Sequence, residues 1–113
     1  MTQAASLTTD PCQGETLLPA TLDEVHRCPA RADYIEVCFT TPEGPMKWCF
    51  PEPPRQAAHS ARPLALCVGR YGIQVREVGE DGLGLALDND SALAMILAGA
   101  EVHIARRLVT ASR

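Results

Sequence analysis

The feature that most constrains this chain is the stretch Tyr34-Ile-Glu-Val-Cys-Phe-Thr-Thr-Pro-Glu-Gly-Pro-Met-Lys-Trp-Cys-Phe50, in which two β-prone runs flank Pro42-Glu-Gly-Pro45. Two runs of β-branched and aromatic residues separated by turn formers read as a hairpin. With the turn centred between Glu43 and Gly44, Phe39 faces Trp48, Val37 faces Phe50 and Thr41 faces Met46, which puts an apolar set on one face because side chains alternate with period two. The same register places Glu36, Cys38, Thr40, Lys47 and Cys49 on a polar face, with Cys38 directly opposite Cys49. That pair is the redox candidate. Its Cβ separation of roughly 4.5–5.5 Å slightly exceeds a relaxed disulfide, and two soft side chains filling a half-buried face is the plainer alternative.

Strand signals return from Leu64. Leu64, Leu66 and Val68 alternate, then Ile73 and Val75, with Gly69 and Gly72 permitting a bend. Gly79-Glu-Asp-Gly82 predicts a tight turn, and Leu83, Leu85 and Leu87 alternate after it. Asp88 to Ser91 offer N-caps for a short helix at about 91–98, which Gly99 ends. Val102 and Ile104 form a closing strand that runs into Arg106-Arg107. The expected fold is mainly β, a barrel or curved antiparallel sheet with one short α-helix near the C-terminus.

At 113 residues the chain has room for one core. Residues 1–30 are polar with scattered apolar positions and are expected to be a flexible N-terminal segment, although Leu17, Leu18, Leu22 and Val25 have near-helical spacing that admits a short helix at 21–27. Residues 31–108 form the expected β-rich domain and 109–113 a C-terminal tail. Residues 51–63, with four prolines, are expected to be a surface loop.

The formal net charge of −4 disfavours a partner held by phosphate contacts, so nucleic acid is not the expected ligand. The first ten residues lack the charge and apolar run of a secretory signal, and no stretch has the roughly 18 apolar residues of a membrane span. The expected compartment is therefore the cytoplasm. The five cysteines are widely spaced with no CxxC, a pattern of neither a disulfide framework nor a zinc finger. His26, Cys28, His59 and Cys12 are too scattered for a closed zinc site, so no metal site is expected.

Ile73-Gln-Val-Arg-Glu-Val-Gly-Glu-Asp-Gly-Leu-Gly-Leu-Ala-Leu87, with Ala98-Gly-Ala-Glu-Val-His-Ile104, resembles the centre of a PilZ domain, and Arg27-Cys-Pro-Ala-Arg31 matches the RxxxR element that precedes the barrel in that family. The resemblance implies a β-barrel that binds cyclic di-GMP, with Arg27 and Arg31 clamping phosphate and guanine through guanidinium forks, and with Glu77, Gly79 and Gly82 in the ligand-facing turn. Glu77 stands where the family has Asp or Asn, and Gly79 where it has Ser.

No nucleophile, base and orienting group fall together in the sequence, so the chain is expected to be a non-catalytic binding or regulatory module acting through protein–protein contact without a cofactor. A cyclic di-GMP receptor and a small inhibitor or accessory protein of a mobile element are the alternatives. Trp48 reads as core packing beside Phe39 and Phe50, or as an interface anchor.

Overall fold

A computed structural model describes residues 14–52, 62–70, 72–79 and 82–111. The strands are β1 (Leu17–Arg27), β2 (Tyr34–Thr41), β3 (Gly44–Pro51), β4 (Leu64–Gly69), β5 (Gly72–Gly79), β6 (Gly82–Leu87) and β7 (Val102–Ala105), and the helices are α1 (Asn89–Leu97) and α2 (Arg106–Ala111). The strands make one sheet in the order β3-β2-β1-β7-β4-β5-β6, curled into a half-barrel. The mainly β expectation holds, with two helices instead of one. One pairing, β4 with β7, is parallel. The chain leaves β4 through the β5–β6 hairpin and α1 before β7 returns beside it, so β7 lies inside the sheet rather than closing an edge.

The β2–β3 hairpin keeps the faces read from its alternation and corrects the register. Phe39 pairs with Met46, Val37 with Trp48, Ile35 with Phe50 and Thr41 with Gly44. The strands are thus two residues out from the expected pairing, and a shift of two preserves which side chains face the core. The turn is Pro42-Glu43 alone, closed by Gly44 at φ 130°, a backbone state open to glycine at low cost. Thr41 Oγ1 donates to the Gly44 carbonyl at 2.7 Å and accepts from Glu43 N at 3.2 Å. Cys38 therefore lies opposite Lys47, and Cys49 opposite Glu36.

The expected flexible segment is corrected over residues 17–27, which form the longest strand; residues 1–13 of that segment lie outside the described residues. Leu18, Ala20 and Leu22 alternate onto the core. Their first half, residues 17–20, pairs with β7, and residues 21–27 pair with β2. A bulge between Leu22 and Glu24 inserts Asp23 and reverses the alternation. That phase break made the apolar spacing look helical. It also turns Glu24 and His26 to the outer face, where unbroken alternation would have aimed them inward. The domain thus begins before residue 31. The tail expected at 109–113 is likewise corrected: Val109 is fully buried on α2, while residues 112–113 lie outside the described residues.

Phe39, Phe50, Met46, Leu66, Leu93 and Ile104 are fully buried in one cluster, each side chain contributing roughly 1.5–3 kcal/mol through removal of apolar surface from water. Both helices pack against β3. In α1, Ala92 to Ile96 are all buried, so the helix fills the concave side of the sheet instead of presenting one stripe. Asp88 caps it by accepting from Ser91 N at 2.7 Å.

Candidate functional site

The turn between β1 and β2 is short and hydrogen-bonded to itself: Cys28 N donates to the Tyr34 carbonyl at 2.9 Å, Arg31 N to Cys28 at 3.3 Å and Tyr34 N to Arg31 at 3.1 Å. Cys28 is bonded to Cys49 of β3, with Cα atoms 6.0 Å apart. Strands that flank a common neighbour stand about 9.6 Å apart. The shorter separation means that the turn folds across the end of β2 and is tied to the far strand by the cystine.

This corrects the redox candidate. Cys49 is joined to Cys28 rather than Cys38, and Cys38 is the free thiol among the described residues. The two-residue shift in register separates Cys38 from Cys49, while the folded turn brings in a cysteine remote in sequence. Cys67, fully buried in β4, is also disulfide-bonded. The chain is therefore cross-linked, against the reading of its cysteine spacing. The scattered set of His26, Cys28, His59 and Cys12 loses Cys28 to the cystine, and His59 and Cys12 lie outside the described residues.

Beside the cystine lies a groove of about 660 Å³. Trp48, Ile73 and Pro51 give it apolar lining, and Tyr34, Arg31 and Asn89 at the start of α1 give it polar lining. The Arg31 guanidinium stacks over the Tyr34 ring, 4.6 Å from its centroid, an arrangement that holds a cation over a π face. Trp48 packs on the core, as one of its two expected readings has it, and also lines this groove. Its indole lies against Gly72, where an added Cβ would come within 2.6 Å of the ring. The bare backbone of Gly72 is what lets the two ends of the curled sheet approach.

The residues carried over from the PilZ resemblance do not converge. Arg31 lines the groove. Arg27 is paired with the Glu52 carboxylate and donates to the Ala32 carbonyl at 3.1 Å. Glu77 pairs with Leu64 in the β4–β5 ladder, and Gly79 pairs with Gly82 at the β5–β6 turn. Ile73, which shares the groove with Arg31, is six residues back along β5; at a strand's rise the turn stands about 20 Å from it. Arg31 and the Gly79–Gly82 turn thus belong to different ends of the sheet.

The basic C-terminal end is also engaged. Arg106 makes a bidentate contact with Glu43 at 2.7–3.0 Å, tying α2 to the β2–β3 turn, and Arg107 reaches Glu15 at 2.7 Å. His103 is partly exposed and lies 3.5 Å from Glu101.

On the outer face of β1 and β2, His26 Nε2 meets Glu36 at 2.6 Å and Nδ1 meets Glu24 at 3.1 Å. Cys38 adjoins them. Burial of its sulfur first, then the carboxylates of Glu36 and Glu24, push its thiol above the ordinary value, with Lys47 opposing. Sequence reasoning placed Glu36, Cys38 and Lys47 on this face but missed Glu24 and His26, since their orientation depends on the bulge.

No protein-family model, curated protein or solved structure matches the chain. No helix among the described residues is long and apolar enough to cross a membrane.

Proposed function

We propose that the chain is a non-catalytic binding module that recognises an extended, proline-containing segment of a partner protein in the groove beside Trp48. The carrying observation is that the stacked Arg31–Tyr34 pair lines one groove with the apolar side chains of Trp48, Ile73 and Pro51. Aromatic-lined grooves suit proline-rich segments, which are already extended and lose little entropy on docking. Tryptophan, tyrosine and arginine are also the residue types that dominate interface energetics. Arg31 adds a preference for an acidic residue beside the prolines. The described lining residues hold no nucleophile with an adjacent base, which favours binding over chemistry.

Trp48 is the only tryptophan, so its fluorescence reports the groove directly. A ten-residue proline-rich peptide with an acidic flank is expected to change Trp48 emission saturably, and Arg31→Ala to weaken that response at least fivefold. The same peptide with a lysine flank should bind less well. No response to either peptide removes this reading. A response to cyclic di-GMP instead, lost on both Arg27→Ala and Arg31→Ala, would support the receptor alternative.

The three disulfide-bonded cysteines, Cys28 joined to Cys49 and separately Cys67, favour an oxidising compartment over the expected cytoplasm. Alkylation of the denatured, unreduced protein is expected to label Cys38 and leave Cys28 and Cys49 blocked; labelling of all three would restore the cytoplasmic reading.

A further inference from the structure

The bulge in β1 has a second effect on the outer face. It aligns two residues of β1, Glu24 and His26, with two of β2, Cys38 and Glu36, as directly opposed pairs: Glu24 with Cys38, and His26 with Glu36. Within this set, a carboxylate oxygen of Glu24, a ring nitrogen of His26 and the sulfur of Cys38 all lie within 4.8 Å of one another. The ligand atoms of a tetrahedral zinc ion, bound at about 2.0–2.3 Å, stand about 3.4–3.6 Å apart. Small side-chain rotations therefore suffice to bring the three donors onto one ion.

We propose that Glu24, His26 and Cys38 form a zinc site on the outer face of the sheet, with Glu36 orienting the histidine. The donor set is a thiolate, an imidazole and a carboxylate, which suits a borderline ion such as Zn²⁺. His26 directs Nδ1 toward Glu24 and Nε2 toward Glu36. With Nε2–H donating to the Glu36 carboxylate, Nδ1 presents its lone pair to the metal. A ligand histidine held by a carboxylate through its other nitrogen is the usual outer-shell arrangement of zinc sites. The surrounding charge is favourable: Glu24, Glu36 and Asp23 act on Cys38 from one sign and Lys47 from the other. Lys47 is exposed and opposes Cys38 across the ladder, so its ammonium is free to turn toward water when a cation arrives.

Three protein donors leave the fourth position of a tetrahedral ion for water or for a group on a partner. On binding, Cys38 gives up its S–H proton to solvent and the sulfur's freed electron pair forms the bond to the metal; no electron transfer is involved. The site adjoins the cystine at the groove's edge, since Glu36 pairs with Cys49 and its carboxylate lies 3.9 Å from the Cys49 sulfur, but its three donors are not groove-lining residues and the assignment does not depend on the peptide reading.

The test uses the full chain, stripped of metal by chelation with its disulfides intact, and titrated with Co²⁺. One equivalent is expected to produce a thiolate-to-cobalt charge-transfer band, which Zn²⁺ displaces. Cys38→Ser should abolish the band, His26→Ala and Glu24→Gln should each weaken binding at least tenfold, and Glu36→Gln roughly 10–100-fold. Zn²⁺ should also protect Cys38 from alkylation, a readout independent of the spectrum. Far-ultraviolet circular dichroism confirms that each variant is folded. Absence of the band in the wild-type protein, or stoichiometric binding that persists in Cys38→Ser and His26→Ala, overturns the assignment.

Discussion

Replacing Cys28 and Cys49 together by alanine removes the bond that ties the β1–β2 turn to β3. The two cysteines are 21 residues apart in sequence, and the loop-closure relation for a crosslink of that span gives about 3.3 kcal/mol at 25 °C. The loop encloses the whole of β2 and its turn into β3, so a hairpin persisting in the unfolded chain would lower that figure. For a domain of this size the loss corresponds to a fall in Tm of roughly 10–20 °C. Urea denaturation followed by Trp48 fluorescence measures it directly, as the difference in extrapolated unfolding free energy between the wild-type chain and the double variant. Cys38→Ala serves as the control. Its side chain is only part-buried and forms no crosslink, so its cost should stay within about 0.5–1 kcal/mol. A double variant that loses less than about 1 kcal/mol would refute the reasoning, because the turn would then be held by its backbone hydrogen bonds and the packing of Trp48 without help from the crosslink.

Two other perturbations address the groove and the outer face. Gly72→Ala forces a side chain onto a backbone at φ 125° and places its Cβ 2.6 Å from the Trp48 ring; a loss of about 2–4 kcal/mol and a shifted Trp48 emission are expected, and an unchanged spectrum would show that the indole does not rest on Gly72. Burial and the neighbouring carboxylates hold the Cys38 thiol protonated above its ordinary value. In the metal-free protein its alkylation should therefore be slower at pH 8 than in the unfolded chain and still rising with pH beyond the ordinary thiol range of about 8.5; an early plateau would contradict that environment.

Much of the sheet was legible because it is written in local alternation. The faces of β2 and β3, the β4–β5 and β5–β6 turns, and the capped helix ending at Gly99 all follow from period-two spacing, glycine placement and an acidic cap. Register was less legible. Pairings two residues apart put the same side chains on the same faces, so the pattern of residues 34–50 does not choose between them, and the short Pro42-Glu43 turn does. β1 escaped notice for a related reason: Asp23 breaks its alternation, and only pairing with β2 and β7 on either side makes one strand of its two halves.

The sequence by itself determined that the chain would bury an apolar face of β strands around Phe39, Phe50 and Leu66 and leave polar side chains outward, since those preferences act between near neighbours. Tertiary structure decided what meets what. Cys28 reaches Cys49 only because the turn folds across β2; Trp48 and Ile73 share a groove only because the sheet curls Gly72 onto the indole; and Glu24 and His26 face Cys38 only because a bulge reverses β1. Each of these contacts joins residues whose separation along the chain says nothing about their distance in space, and each is set by strand pairing and curvature that many residues fix together.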